Sequence, residues 1–268
     1  MTRTTALRQL LARWAVLCTL PLASVVAIPE ADADPTELVV KIGYLCEAIP
    51  EREPLSLVEV VATDKGLAGA RLAIGDNNTT GKFLKQSYSL METIVPEKGD
   101  LRAAASAFNA AGVKLIVAAL TVDRLLELAA FPEMQGALIF NIQAQDDSLR
   151  VAGCRPNIFH IIPNRAMKAD ALAQYLISKQ WPRWVLISGT EPPDKAFADA
   201  IRRAAKRFGG EIVEEREYSF EAGSRRTDTG QQQVRKQMTD LTQRLPDYDV
   251  MIVADESDIF GEYLPYRT

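Results

Sequence analysis

The sequence is poor in the side chains that most catalytic and metal centres need. Its 268 residues include three cysteines and a single histidine, His160. His160 stands within a short predicted strand, where a packed histidine is commoner than a catalytic one, so neither a catalytic triad nor a histidine-rich metal site is predicted. No Cys-x-x-Cys pair occurs, which argues against a thioredoxin-like redox centre. With no nucleophile paired to a base and no cofactor loop, the chain is predicted not to be an enzyme and to require no cofactor.

Positive charge is also scarce. The chain carries 31 Lys and Arg against 35 Asp and Glu, a formal net charge of −4. Such a balance provides no basic surface for nucleic acid or for an anionic membrane. We therefore expect no nucleic-acid partner, and membrane contact only through another protein.

The main apolar run stands at the start of the chain, at 14–28, behind three arginines within residues 1–13. This run is shorter than the roughly 20 apolar residues of a spanning helix. Ala31 and Ala33 supply the small residues that a signal peptidase recognises. The pattern predicts a signal peptide over 1–33, cleaved near Ala33, and a periplasmic mature protein.

Two cysteines remain after that cleavage, Cys46 and Cys154. An oxidising compartment allows them to pair. Two cysteines so far apart in sequence can equally be small buried residues, and the sequence leaves both possibilities open.

From Leu38 onwards, short β-branched runs alternate with longer stretches of helical periodicity. This alternation predicts an α/β fold in which parallel sheets are covered by helices on both faces. A polar stretch at 146–156 interrupts the rhythm, and a second cycle follows it. We therefore predict two Rossmann-like lobes, the first at 34–156 and a second, incomplete one at 157–268.

The ends of two predicted helices carry specific signals. Gly81 is predicted to end the first helix, and Thr121 to cap the start of the third. The predicted strands span 38–45, 88–95, 113–120, 137–142, 157–162, 184–188, 211–218 and 249–254, and the predicted helices span 65–78, 100–111, 121–130, 165–179, 194–208 and 229–244.

Ligand-binding candidates follow from the predicted topology. In open α/β sheets, ligands bind beyond the carboxyl ends of the strands, where helix N-termini present partial positive charge. In the first lobe these positions are Tyr44, Thr121, Asn141 and Gln143. In the second lobe they are Thr190, Glu191, Asp255 and Glu256, joined by Arg165 as an anion partner at the head of its helix.

Acidic residues gather after two strands of the second lobe, at Glu191 and Asp194 and again at Asp255, Glu256 and Asp258. Their spacing matches no EF-hand loop. Three interpretations stay open for them: solvated loop carboxylates, partners for a cationic group of a ligand, and ligands for calcium or a lanthanide.

Several runs of the sequence resemble a known family. The runs 41–45 (Lys-Ile-Gly-Tyr-Leu), 66–74 and 76–81 (Asp-Asn-Asn-Thr-Thr-Gly) resemble the opening of a type I periplasmic solute-binding protein. Together with 76–81, the stretches 169–176, 202–209 and 253–268 resemble the ABC transporter substrate-binding component associated with PQQ-dependent alcohol dehydrogenase systems.

The resemblance implies a periplasmic binding protein-like type I fold whose lobes close on a small molecule and present it to an ABC permease. It implies PQQ or a related molecule as the ligand, and a PQQ-dependent dehydrogenase as a possible further partner. By the same resemblance, Thr121 supplies a hydroxyl, 141–144 a ligand-facing loop, and Asp255 or Glu256 an acidic anchor for an amino group. Family members continue well past the length of this chain, so a C-terminal truncation is expected.

The acidic residues keep two alternatives to PQQ open. An amino-acid-like metabolite would place its ammonium group against them, whereas a calcium or lanthanide carrier accessory to a dehydrogenase would use them as metal ligands. A tricarboxylate such as PQQ would be repelled by them at long range and would depend on local arginines and helix N-termini.

Overall fold

The computed structural model describes residues 37–48, 64–219, 231–256 and 260–261. The signal peptide predicted over 1–33, Asp258 and residues 262–268 lie outside the described residues. The described strands form two parallel sheets connected by helices. The predicted α/β fold is confirmed.

The first sheet contains five parallel strands. Their order across the sheet begins with the second strand of the chain, followed by the first, third, fourth and fifth. The fifth strand therefore lies at an edge. The strands are β1 (Leu38–Glu47), β2 (Gln86–Val95), β3 (Leu115–Ala119), β4 (Leu138–Asn141) and β5 (Ile158–His160), and the helices between them are α1 (Leu67–Leu84), α2 (Leu101–Ala110) and α3 (Val122–Ala130).

Three parallel strands form the second sheet. They are β6 (Arg183–Gly189), β7 (Glu211–Tyr218) and β8 (Val250–Ala254), accompanied by helices α4 (Arg165–Ser178), α5 (Pro192–Phe208) and α6 (Gln231–Thr242). Strand β6 lies at the centre, between β7 and β8.

The first core lies between one face of the five-stranded sheet and helices α2 and α3. Phe108, Ile116, Leu125 and Ile139 are fully buried there. A Cβ atom at Gly43 would lie 2.8 Å from the Phe108 ring. Glycine at this position of β1 therefore allows α2 to approach the sheet closely.

The second core surrounds β6 on both faces. Trp184 and Leu186 pack against α4 and α5, whereas Val185 and Ile187 pack on the opposite face. A central parallel strand is buried on both faces, which explains its continuous apolar run. At its amino end, the indole Nε1 of Trp184 donates to the carbonyl of Trp181 at 2.6 Å.

The end of α1 differs from the prediction. The helix continues past Gly81 to Leu84, and Lys85 adopts the left-handed conformation that terminates it (φ 51°). Gly81 is buried. A Cβ atom at this position would collide with the Gln86 carbonyl. Glycine serves close packing at this position, and its prediction as a helix terminator was wrong.

Strand β5 also differs from the prediction, which placed it at the start of the second lobe. Ile158–His160 pairs in parallel with β4 in the first sheet. The rings of Phe140 and Phe159 stack across this pair at 5.7 Å. The chain therefore crosses to the second sheet after this strand, beyond the boundary predicted at residue 156.

The disulfide left open by the sequence is not formed, since Cys46 and Cys154 are both free. Cys46 lies in β1, and Cys154 lies in the loop before β5. Three inter-strand steps of about 4.8 Å each separate these two strands. That separation exceeds the roughly 7 Å that a disulfide can span between Cα atoms.

Candidate functional site

A cleft of about 680 Å³ is lined by residues that follow the carboxyl ends of strands from both sheets. Both sheets belong to one compact unit, Glu37–Thr268. The volume suits a small molecule, and the position is the one that parallel α/β sheets use for ligands. The lining residues are Leu120, Thr121, Val122, Gln143, Ala144, Gln145, Asp146, Arg165, Glu191, Pro192, Pro193, Asp194, Ala196 and Glu256.

The first-sheet wall presents the start of α3. Thr121 is the N-cap of this helix, is exposed, and makes no capping hydrogen bond with its side chain. Its carbonyl accepts the first helical bond, from the Leu125 amide at 2.9 Å. The preceding amides of the first turn have no acceptor within the helix and carry partial positive charge. The wall therefore offers hydrogen-bond donors to an anionic group.

The second-sheet wall has the opposite character at the start of α5. Glu191 is the N-cap, and Pro192 and Pro193 follow it. Proline has no N–H, so the first two donors that a helix normally presents are missing. The exposed Glu191 carboxylate takes their place at the cleft surface.

The start of α4 is closed to ligands because its amides already have acceptors. The Arg165 amide donates to the Gln145 carbonyl at 3.0 Å, and the Ala166 amide donates to Asp147 Oδ1 at 3.0 Å. Both acceptors follow β4 on the first-sheet side, Gln145 in the loop and Asp147 at the start of a short 3-10 helix (Asp147–Arg150). These two hydrogen bonds connect the start of α4 to the first-sheet wall.

The Arg165 side chain is buried and holds two carboxylates. Nε and Nη2 donate to the two oxygens of Glu256, each at 2.8 Å. Nη1 lies 2.8 Å from Asp146 Oδ2. Burial alone would lower the pKa of Arg165, but the hydrogen bonds that it donates to Glu256 and Asp146 raise it above its ordinary value. The arginine predicted to bind a ligand anion is therefore engaged by the protein itself.

Asp194 lies in the same wall with only 1% of its surface exposed. Its Oδ1 accepts the Glu256 amide at 2.8 Å, and its Oδ2 is buried without a hydrogen-bond partner. Burial raises the pKa of this carboxyl, and the nearby carboxylates of Asp255, Glu256 and Glu191 raise it further, against the lowering effect of the Glu256 amide.

Of the predicted ligand-binding residues, five line the cleft: Thr121, Gln143, Arg165, Glu191 and Glu256. The other four do not.

Tyr44 and Asn141 are buried. Asn141 Oδ1 accepts the amides of Gln143 and Ala144 at 3.1 and 2.9 Å, so it shapes the loop that the cleft uses. Its Nδ2 lies 3.0 Å from His160 Nδ1. Asn141 therefore acts on the cleft from within the fold, whereas Tyr44 is a buried core residue that does not line it.

Thr190 and Asp255 do not line the cleft either. Asp255 Oδ2 accepts the amides of Phe260 and Gly261, at 2.6 and 2.8 Å. Asp146 was missed from the site because the sequence assigned it to a polar break between lobes. Its position in the loop after β4 was the signal that could have identified it.

The described residues contain no group of three or more His, Cys, Asp or Glu side chains arranged to hold a metal ion. Of the predicted acidic cluster, Asp258 lies outside the described residues. No helix among the described segments combines the length and the apolar character that crossing a membrane requires.

Residues 62–243, more than half of the chain, match the family described as periplasmic binding protein. The chain belongs to the periplasmic binding protein family. This is a family of binding proteins, which supports the prediction that the chain is not an enzyme.

Solved structures with the same fold include two ABC transporter proteins. One is an ABC transporter substrate-binding protein from Desulfitobacterium hafniense in complex with Leu, at 19% identity and a TM-score of 0.55 over 84% of this chain and 61% of that one. The other is the branched-chain amino acid transporter substrate binding protein LivJ from Streptococcus pneumoniae in complex with isoleucine, at 18% identity and a TM-score of 0.50 over 80% of this chain and 56% of that one.

This periplasmic binding protein thus spans about three fifths of the length of those two structures. At such low identity the likeness establishes the fold alone. No curated protein matches the chain.

Proposed function

We propose that this periplasmic binding protein binds a small zwitterionic solute of the amino-acid type in its cleft. In this proposal it serves outside the cytoplasm as the solute-binding component of an ABC uptake system, and the signal peptide predicted from the sequence directs its export. The observation that carries the proposal is the opposite chemical character of the two cleft walls.

The first-sheet wall suits the carboxylate of such a solute. The Thr121 hydroxyl, which has no capping role, and the first amides of α3 are hydrogen-bond donors at a helix N-terminus. Donors of this kind stabilise an anion that lies on the helix axis.

The second-sheet wall suits the ammonium group. Glu191 is exposed at the start of α5, where two prolines remove competing amide donors. An ammonium group would meet a carboxylate there without repulsion from helix amides. A solute bearing both groups would contact both walls, and its greater affinity for the closed form would draw the walls together. A permease can recognise that closed form.

The structural comparisons support the same class of ligand. The two solved structures described above share the fold and hold leucine and isoleucine. PQQ is less well supported, because the described lining residues include four carboxylates and one arginine whose charge is already paired. No feature of the described residues favours a PQQ-dependent dehydrogenase as a partner.

Calorimetric titration of the full chain tests the proposal. Leucine and isoleucine are the first ligands, and two analogues of leucine, 4-methylpentanoate without the amine and 3-methylbutylamine without the carboxylate, are the controls. We expect the zwitterions to bind and to raise the melting temperature, and each analogue to bind at least about tenfold more weakly, since each loses one charge-assisted contact worth roughly 1.5–3 kcal/mol. Parallel titrations use PQQ and CaCl₂. Binding of PQQ or calcium without binding of any amino acid would overturn the proposal.

The variant Thr121→Val tests the donor wall. Because the hydroxyl makes no capping bond, its loss should leave the melting temperature nearly unchanged while it weakens leucine binding by about tenfold, the effect of one lost hydrogen bond. Thr79→Val is the matched control, since Thr79 is exposed on α1 and its hydroxyl donates to the Gly75 carbonyl within the same helix. Equal leucine affinity in Thr121→Val and the parent protein would remove Thr121 from the site.

A further inference from the structure

The described lining of the cleft is unbalanced in charge. Asp146, Glu191, Asp194 and Glu256 are carboxylates, and Arg165 is the one cation among the described lining residues. A zwitterion carries one ammonium group and cannot neutralise such an excess. The wall must therefore hold some of these carboxylates away from the ligand.

Arg165 does this for two of them. Its guanidinium engages both oxygens of Glu256 and one oxygen of Asp146, all at 2.8 Å. The arginine side chain is only 10% exposed. Bidentate pairs of this kind are among the strongest charge-assisted hydrogen bonds in proteins. The Glu256 carboxylate consequently has no oxygen free of the arginine.

The ion pairs also connect the two walls. Helix α4 packs in the second core through Ala169 and Ala173, and Glu256 follows β8 of the same sheet. Asp146 lies in the loop after β4 of the first sheet. One guanidinium group therefore fixes a carboxylate on each side of the cleft.

Two lining carboxylates, Asp194 and Glu191, are not engaged by Arg165. Asp194 is buried, with its carboxyl group in the wall, and Asp146, whose side chain is 39% exposed, is paired with Arg165. Among the described lining residues, Glu191 is therefore the exposed carboxylate that no arginine engages. That arrangement suits one ammonium group. It gives no second unpaired carboxylate to a second cationic group on the ligand.

We propose that Arg165 is a specificity-determining residue that sets the charge of the solute the cleft accepts. By occupying Glu256 and Asp146, it restricts the cleft to zwitterions without net charge and excludes basic amino acids. The inference rests on the proposed function. Loss of the guanidinium would release two carboxylates and admit a solute with a second positive charge, such as lysine.

The test compares leucine and lysine affinities by calorimetry in the full chain and in Arg165→Gln. We expect the lysine-to-leucine affinity ratio to rise by about tenfold or more in Arg165→Gln. The reason is that a released carboxylate within about 5 Å of the lysine side-chain ammonium group attracts it. In Arg165→Gln/Glu256→Gln the ratio should fall back toward the parent value. Arg165→Lys, which keeps the charge, should stay within about threefold of it.

A second variant, Glu256→Gln, removes a negative charge instead of a positive one, so the proposal can still be tested if Arg165→Gln does not fold. Glu256→Gln leaves the arginine with unused donors, so it should strengthen binding of glutamate relative to leucine. Arg155→Gln is the matched control, since Arg155 is exposed, does not line the cleft and donates to the neighbouring Cys154 carbonyl. Circular dichroism and melting temperature establish which variants fold.

The two proposals fail in different ways. If the parent protein binds leucine and neither Arg165→Gln nor Glu256→Gln changes charge preference, the assignment of Arg165 is wrong and the proposed function stands. If the parent protein binds no zwitterion, both proposals are wrong.

Discussion

Asp194 lines the cleft, and its buried charge destabilises the folded protein. Its carboxyl is buried beside three other acidic residues, and one of its oxygens has no hydrogen-bond partner. Burial raises its folded-state pKa above the ordinary 3.8. The folded protein therefore keeps this proton at pH values where the unfolded chain has lost it. The contribution of this carboxyl to the free energy of unfolding is favourable at acidic pH, and it is lost as the pH rises through the raised pKa.

Replacement of Asp194 by asparagine should stabilise the protein at neutral pH. Asparagine keeps an oxygen for the Glu256 amide and carries no charge, so we expect the free energy of unfolding to rise by about 1–3 kcal/mol at pH 7.5. The gain should shrink at about pH 3.5, below the ordinary pKa of 3.8, where the parent carboxyl is mostly protonated even in the unfolded chain. Urea unfolding at both pH values measures the difference.

Asp199→Asn on the same helix is the control for that substitution. Its side chain is 75% exposed and pairs with Arg202, so its loss should change stability by less than about 1 kcal/mol at either pH. A loss of stability in Asp194→Asn at pH 7.5 would show that the charged form is the favourable one.

Among the secondary-structure elements, α1 and β5 show where sequence patterns are informative and where they stop. The sequence predicts a helix over 65–78, and α1 contains that range from Leu67 onwards. The pattern cannot distinguish a glycine that ends a helix from one that permits close packing, and Gly81 has the second role. Alternation likewise predicts β5 as a strand. Its sequence does not reveal which sheet it joins, and the structure pairs it with β4, where Phe140 and Phe159 stack.

Two glycines of α1 should respond in opposite ways to the same substitution. At Gly75 an added Cβ would meet no atom within 4 Å, so Gly75→Ala should stabilise the helix by about 0.5–1 kcal/mol. At Gly81 the Cβ would collide with the Gln86 carbonyl, so Gly81→Ala should destabilise the protein by about 1–3 kcal/mol. Chemical denaturation of both variants tests this pair, and a shared sign would contradict the role assigned to Gly81.

On the scale of the whole molecule, the rule that ligands bind beyond strand ends predicts a site between two sheets, and the described cleft lies there. It identifies Thr121 and Glu191 as candidates because each stands two residues after the end of a strand, at the start of a helix. It fails for Tyr44 and Asn141, whose side chains are buried within the fold. The ion pairs of Arg165 join segments far apart in sequence, so no local pattern could predict them.

Helix α4 has two side-chain caps, and only one of them connects the helix to the first-sheet wall. Substitutions of the two caps can therefore distinguish helix stability from the connection between the walls. Asn164 caps the Met167 amide from within the same segment, whereas Asp147 caps the Ala166 amide from the first-sheet side. Asn164→Ala and Asp147→Ala should each lower stability by about 1 kcal/mol. Only Asp147→Ala should also weaken leucine binding, by about threefold or more, because it frees the cleft loop from the helix. Equal losses of leucine affinity in the two variants would contradict that distinction.

The placement of tryptophan determines which optical signals can follow this protein. The sequence has three tryptophans, one of which lies in the predicted signal peptide. The other two, Trp181 and Trp184, meet at the amino end of β6, and the strand carries them roughly 17 Å from the edge that a solute would occupy. Their ultraviolet emission should therefore report loss of the native fold and remain silent when a solute arrives. A fluorophore attached beside Thr121 would be needed to observe binding by light.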